Sequence, residues 1–257
     1  AMFYAEGIIV KQDQNIANQW TIKAAKQGNK EGQYNLGVAY QLGLGNLSIS
    51  PVIAFDWFLS AAKLGEMNAQ YETAVAYQYG RGTTRDFKQS RLWYLKAAEQ
   101  NHPRAQNNLA VLYGEGLGVN TDRAEAMKWL LRAADNKNEE ALFSLGLIHH
   151  QGVGVKKDFK KAAEYFEFAF AGGKSAAAEY LSQYYYLGTG AKKNKIEAMK
   201  WLMLATELKS TAANGIPNRE TQTRILQNKK FLEDELSENE LTRAKRAKEK
   251  YITDNLQ

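Results

Sequence analysis

The chain of 257 residues carries 34 Lys and Arg against 28 Asp and Glu, a net charge of +6, with 44% apolar residues and no cysteine. Disulfide scaffolds, thiolate metal sites and cysteine nucleophiles are thereby excluded, and no apolar run approaches the roughly 18 residues that span a bilayer. Ordinary apolar and charged contents argue for a folded chain, and few prolines among many Ala, Leu and Lys favour helix.

Ala1-Met2 reads as a cloning remnant or a processed start, and no signal h-region follows it. A single helical segment ending near Gln27 comes next. From there a repeat governs the chain. Trp20, Trp57, Trp93, Trp129, Tyr165 and Trp201 recur, first after 37 residues and then every 36. Ala61-Ala62, Ala97-Ala98 and Ala133-Ala134 keep the same period, as do Gly82, Gly118, Gly154 and Gly190, and Asp86, Asp122, Asp158 and Asn194. A fixed period of this length marks a repeat protein.

Each unit reads as two helices, and five pairs begin near Glu31, Met67, Pro103, Glu139 and Ser175. In the fourth, Ala141, Leu145, Ile148 and His149 give residues 139–151 one inward face. Gly152-Val-Gly154 stops that helix, and Asp158 is placed to cap the next. Residues 159–172 follow as the second helix, with Ala162, Tyr165 and Ala169 on one side. The tryptophan ladder is assigned to the core. A unit this short cannot bury its own apolar stripe, so neighbours must stack.

The repeat fades after Ala205. Lys209–Asn218 reads as a connection, and Arg219–Glu235 as a helix. Ser237-Glu-Asn-Glu240 is a capping box for a last helix ending near Asn255, whose Leu241, Ala244, Lys248, Tyr251 and Ile252 share one mostly apolar face. The expected organisation is a repeat array over 1–209, opening with a half-repeat at 1–30, and helices over 210–257 that cover its end.

The run Ala105-Gln-Asn-Asn-Leu109-Ala-Val-Leu-Tyr113-Gly-Glu-Gly116-Leu-Gly118-Val119-Asn-Thr-Asp122, followed by Ala126-Met-Lys-Trp129 and Ala133-Ala134, resembles the Sel-1-like repeat family, a relative of tetratricopeptide repeats. Comparable matches run from about residue 17 to 205. Departures are local: Thr73 stands in a Leu slot, His149 in a Tyr slot, Ala110 and Ser182 in Gly slots, and the loop at Leu47–Pro51 is one residue longer. The resemblance implies an all-α fold, a right-handed α–α superhelix of about five 36-residue helix pairs with a C-terminal helical cap.

Catalysis finds no foothold. Gly43-Leu-Gly45, Gly80-Arg-Gly82 and their copies follow helices and lack a Gly-Lys-Ser/Thr ending, so they are helix stops rather than phosphate loops. Of the three histidines, His102 stands at a turn before Pro103, His149 takes a packing slot, and His150 can reach the groove. Adjacent helical residues point about 100° apart, so the pair does not chelate one ion. The Asp residues one repeat apart form a ladder of caps, and no Ser/His/acid constellation emerges. The expectation is a protein without catalytic residues, metal or cofactor. The basic run Arg243-Ala-Lys245-Arg246-Ala-Lys248 sits in a C-terminal stretch that balances to +1, nine basic less eight acidic residues from Arg219 on. That pattern is a solvated surface, not a nucleic-acid footprint.

By resemblance to tetratricopeptide arrays, a concave groove lies along the first helices. The partner-binding candidates there are Tyr34, Gln41, Tyr71, Gln78, Asn107, Phe143, His150, Gln183 and Tyr186. Val38, Val75 and Val111 are read as packing residues. Aromatic area flanked by amides suits a polypeptide ligand. The expected function is a non-catalytic, monomeric protein-interaction scaffold of bacterial type. A narrower form is an inhibitor or immunity partner of a secreted effector, a role known in the family. The alternative is a peptidoglycan binder or hydrolase, although the relatives linked to envelope chemistry are typically cysteine-rich. Family habit tilts localisation toward the periplasm.

Overall fold

The computed structural model describes residues 13–207 and 219–255. The connection expected at Lys209–Asn218 and the Ala1-Met2 start lie outside them. The described residues form thirteen α-helices and no strand. Helix α1 (Gln14–Lys26) stands alone, then come five pairs: α2 (Lys30–Leu42) with α3 (Pro51–Lys63), α4 (Met67–Tyr79) with α5 (Phe87–Glu99), α6 (Pro103–Glu115) with α7 (Arg123–Asp135), α8 (Glu139–Gln151) with α9 (Phe159–Ala171), and α10 (Ala176–Leu187) with α11 (Lys195–Glu207). The helices α12 (Arg219–Glu235) and α13 (Glu238–Asn255) follow.

Local hydrogen bonding sets these boundaries. The second helices are capped by the Asp ladder: Asp86 accepts from the Lys88 and Gln89 amides, Asp122 from Ala124 and Glu125, and Asp158 from Lys161. Asn194 does the same for Ile196 and Glu197. Each cap satisfies amides that a helix start leaves free. The first helices α2, α4, α6 and α8 have a second ladder that the repeat period does not announce, made by Asn29, Glu66, His102 and Asn138. At the far end of α4, Gly80 adopts φ 70°, the left-handed conformation that closes a helix and that a side chain resists. The capping box of α13 is formed, with the Ser237 amide donating to Glu240 at 3.0 Å.

The chain divides into two compact units, residues 1–133 and 134–257. In the first, α1 to α6 pack each on the next in chain order. In the second, α8, α9, α10 and α11 do the same, and α12 and α13 both pack on α11. Helix backbones approach closely because the contact positions carry alanine: Ala61, Ala97, Ala133 and Ala169 are wholly buried. The core of the second unit gathers Phe166, Phe170, Tyr184, Trp201 and Leu202, with Tyr251 of α13 packed against it.

The tryptophan ladder is core only in part. Trp93, Trp129 and Trp201 are buried, but Trp57 and Tyr165 are half-buried and Trp20 is 50% exposed. The deepest aromatic slot is one residue further on, where Phe58, Tyr94 and Phe166 are buried, with Leu130 and Leu202 continuing the row. The Trp slot lies toward the edge of the second helix, and its depth depends on what packs beside it. Indoles at either depth carry a cation: Lys23 sits 4.7 Å above the ring of exposed Trp20 and Lys96 4.2 Å above that of buried Trp93.

Candidate functional site

The nine candidate residues lie on first helices, five in the first unit and four in the second. The aromatic ones are half-buried and packed on their neighbours. Tyr34 meets Phe58 at 5.8 Å, and Tyr71 stacks on the His102 ring at 4.5 Å. Phe143 lies between Phe166 and Tyr180 at 5.5 and 5.8 Å. These contacts brace the adjoining helices. Gln41 and Gln183 are exposed, and Asn107 is half-buried. The valines differ in depth: Val75 is buried, but Val111 is exposed.

Gln78 is not a free polar handle. Its amide oxygen accepts from the Tyr94 hydroxyl at 2.6 Å, and that hydroxyl accepts in turn from Asn108 at 3.0 Å. Burial pushes the Tyr94 hydroxyl far above the ordinary phenol range. Tyr94→Phe leaves two amides without this partner. It is expected to destabilise the first unit by about 1–3 kcal/mol, read as a lowered urea midpoint; an unchanged midpoint counts against the network.

His150 is likewise engaged, with Nδ1 2.7 Å from the Tyr184 hydroxyl. Partial burial and Lys157 lower its pKa. His102, expected only at a turn, is the N-cap of α6: its Nδ1 accepts from the Ala105 amide at 3.1 Å. Burial, assisted by Arg104, lowers its pKa from 6.5. A depressed folded value means that the unfolded chain takes up the proton first, so stability falls as pH drops below about 6.5 and levels off below the folded pKa. Glu72 works in the opposite sense, since burial raises its pKa. The specific test is therefore His102→Asn, which copies the Asn29 and Asn138 caps. Between pH 7.5 and 5 the Tm of this variant is expected to fall less than that of the parent; equal slopes refute the assignment.

Two crevices open on the first-helix faces, one in each unit. In the first unit a cavity of about 320 Å³ is lined by Gln41 of α2, Phe55 and Phe58 of α3, Glu72 and Ala76 of α4, and Arg81. In the second, a cavity of about 330 Å³ lies among Gln183 and Tyr186 of α10, Leu202 of α11 and Arg224, Asn228 and Phe231 of α12. Here Arg224 grips the Glu179 carboxylate with Nε and with Nη2, the latter at 2.9 Å. Tyr186 meets the Phe231 ring edge-on at 5.9 Å, and its hydroxyl lies 3.4 Å from Glu235. Helix α12 thus covers Glu179 and part of Tyr186. The roles of Glu72, Arg81 and Arg224 had no signal in the repeat period, because none recurs at it. Among the described residues, no group of three or more His, Asp or Glu is arranged to hold a metal ion, and no helix is long and apolar enough to cross a membrane.

A family model for the Sel1 repeat matches residues 1–29, 30–66, 68–102, 103–138, 139–174 and 175–210. The chain belongs to the Sel1 repeat family. Five of the six matched repeats coincide with the helix pairs, and the match at 1–29 takes in α1. A Sel1 repeat protein from Oxalobacter formigenes is 29% identical with a TM-score of 0.76, over 88% of this chain and 63% of that one. The protein c5321, a protective antigen of uropathogenic Escherichia coli, is 25% identical with a TM-score of 0.58, over 99% and 60%. This chain therefore spans about three-fifths of the length of each. The immunity protein Pa5087 from Pseudomonas aeruginosa shares the fold, at 17% identity and a TM-score of 0.51 over 81% and 83%. No curated protein matches the chain. Sel1 repeat proteins act as protein–protein interaction scaffolds, and the repeat is typically non-catalytic.

Proposed function

We propose that this Sel1 repeat protein is a non-catalytic scaffold that binds a polypeptide on its first-helix faces. Tyr34, Gln41, Tyr71, Gln78 and Asn107 make the contact in the first unit; Phe143, His150, Gln183 and Tyr186 make it in the second. The observation that carries this reading is the open crevice of about 320 Å³ between α2 and α4, with Gln41 exposed at its mouth and phenyl rings as its floor. Its size is at the low end for a ligand pocket, enough for one or two side chains. A preformed crevice on stacked helices loses little conformational entropy on binding. Gln78 and His150 each hold a buried tyrosine hydroxyl with one polar atom, so they meet the partner through the Gln78 amide nitrogen and the His150 Nε2. One form of such a partner is a secreted effector, with this chain as its immunity protein. The fold shared with Pa5087 is compatible with that form.

Site-specific photo-crosslinking tests the reading. A benzophenone side chain at Gln41 is expected to trap a discrete polypeptide from source-cell extract. The same probe at Leu92, exposed on the second helix α5, is expected to trap none. Equal labelling from both positions, or none from Gln41, overturns the assignment.

A further inference from the structure

The crevice of the first unit has a specific chemical deficit. Its walls are apolar, made by Phe55, Phe58, Ala54 and Ala76, yet Glu72 is among its lining groups. The Glu72 carboxylate is half-buried and has no hydrogen-bond or ion-pair partner among the described residues. Partial burial disfavours its charge, and a ligand that brings a donor offsets that cost.

The second unit holds a satisfied carboxylate beside its own crevice, although Glu179 stands on α10 in the repeat slot of Tyr34 and Tyr71 rather than in that of Glu72. There Glu179 also borders the cavity, but the chain itself supplies the donor: the guanidinium of Arg224 makes two hydrogen bonds to it. In the first unit α2 and α4 bring Gln41 and Glu72 to a crevice that Arg81 also lines, yet among the described residues no cation is ion-paired with Glu72. Extending the polypeptide-binding reading above, on which this rests, we infer that the α2–α4 crevice is a subsite for an arginine side chain of the partner. Its guanidinium pairs with Glu72, and its methylene stem lies against Phe55 and Phe58. Arginine fits better than lysine because its planar fork matches a carboxylate with two parallel bonds, and its trimethylene stem tolerates apolar walls.

Two cations oppose this ligand and set its strength. Arg81 lines the crevice with its guanidinium 5.1 Å from the Tyr79 ring, and its charge, with that of Arg104, acts to lower the Glu72 pKa. Burial outweighs both and leaves the Glu72 pKa raised, as befits a carboxylate without a strong partner. The hydroxyls of Tyr34, Tyr71 and Tyr94 also feel Glu72, and burial raises their pKa values, so they stay neutral near pH 7.

The test titrates the ¹⁵N-labelled full chain with a capped pentapeptide bearing arginine between alanines, against the same peptide bearing citrulline. Citrulline keeps the shape and removes the charge. The arginine peptide is expected to give saturable shifts at the amides of Ala76, Gly80 and Gly82, with the citrulline peptide about tenfold weaker. Glu72→Gln is expected to remain folded by circular dichroism, since it loses no internal partner, and to abolish the preference. Arg81→Gln is expected to tighten arginine binding. Absence of saturable shifts to about 10 mM, equal binding of both peptides, an intact preference in Glu72→Gln, or loss of binding in Arg81→Gln each overturns the subsite. The wider reading fails separately: a Gln41 crosslink retained in Glu72→Gln keeps the polypeptide surface and removes only its arginine anchor.

Discussion

Trp201→Ala is expected to destabilise the second unit by about 3–5 kcal/mol, the range for deleting a large buried aromatic. Trp201 is 1% exposed and joins three helices. Its indole meets the Phe170 ring of α9 edge-on at 5.3 Å and the Tyr251 ring of α13 at 5.0 Å, while Lys200 lies 4.4 Å above it. The same burial pushes the Tyr251 hydroxyl up to about 12. Removing the indole opens a cavity that rigid helices cannot collapse into, and α13 loses the surface on which it docks. Hydrogen exchange is expected to accelerate first in residues 238–255, with α2 to α4 unchanged. Trp20→Ala removes the same residue type from the same repeat slot. It is expected to cost under about 1 kcal/mol, because a half-exposed side chain has less burial to lose. Comparable losses from the two variants would contradict the burial pattern described for the ladder.

Gly82→Ala is expected to lower the stability of the first unit by about 3 kcal/mol or more. Two effects combine. Gly82 has φ +73°, where a side chain costs about 1–2 kcal/mol. In addition, an alanine Cβ there would stand 2.0 Å from the carbonyl oxygen of Pro51, the first residue of α3. Backbone cannot rotate aside as a side chain can, so the loop after α4 must separate from the start of α3. The control is Gly154→Ala, at φ +72° with nothing within 4 Å of the added carbon. It meets only the conformational penalty, so its urea midpoint is expected to fall by less than half as much. Equal midpoints in the two variants would mean that the close approach at Pro51 carries no energy.

This comparison also shows how far the sequence could be read. The repeat period predicted Gly82, Gly118, Gly154 and Gly190 as one class, and all four have positive φ. It did not predict which of them touch backbone. Gly118 and Gly190 press on the starts of α5 and α9 as Gly82 does on α3, whereas Gly154 meets nothing. The tryptophans divide in the same way. One period gave them one label, yet their exposure runs from 1% at Trp201 to 50% at Trp20. The buried aromatics Phe58, Tyr94 and Phe166 fall on the same 36-residue period, with Leu130 in the slot between the last two. That signal was present in the sequence but was outweighed by the more conspicuous indoles beside it.

By itself, the sequence determined the repeat, the five helix pairs, the Asp caps, the final helix with its Ser237–Glu240 box, and the family. These depend on interactions that span a few residues, such as an amide bonded to a cap two or three positions back, or a glycine closing the turn before it. Local chemistry leaves local traces. Only the tertiary structure decided that His102 caps α6, that Gln78 and His150 are already engaged, that Arg224 satisfies Glu179, and that Glu72 borders an apolar-walled crevice without an ion-pair partner among the described residues. Those outcomes depend on which side chains of neighbouring helices meet. The Glu179–Arg224 pair spans 45 residues, and no periodic rule encodes the distance between its partners.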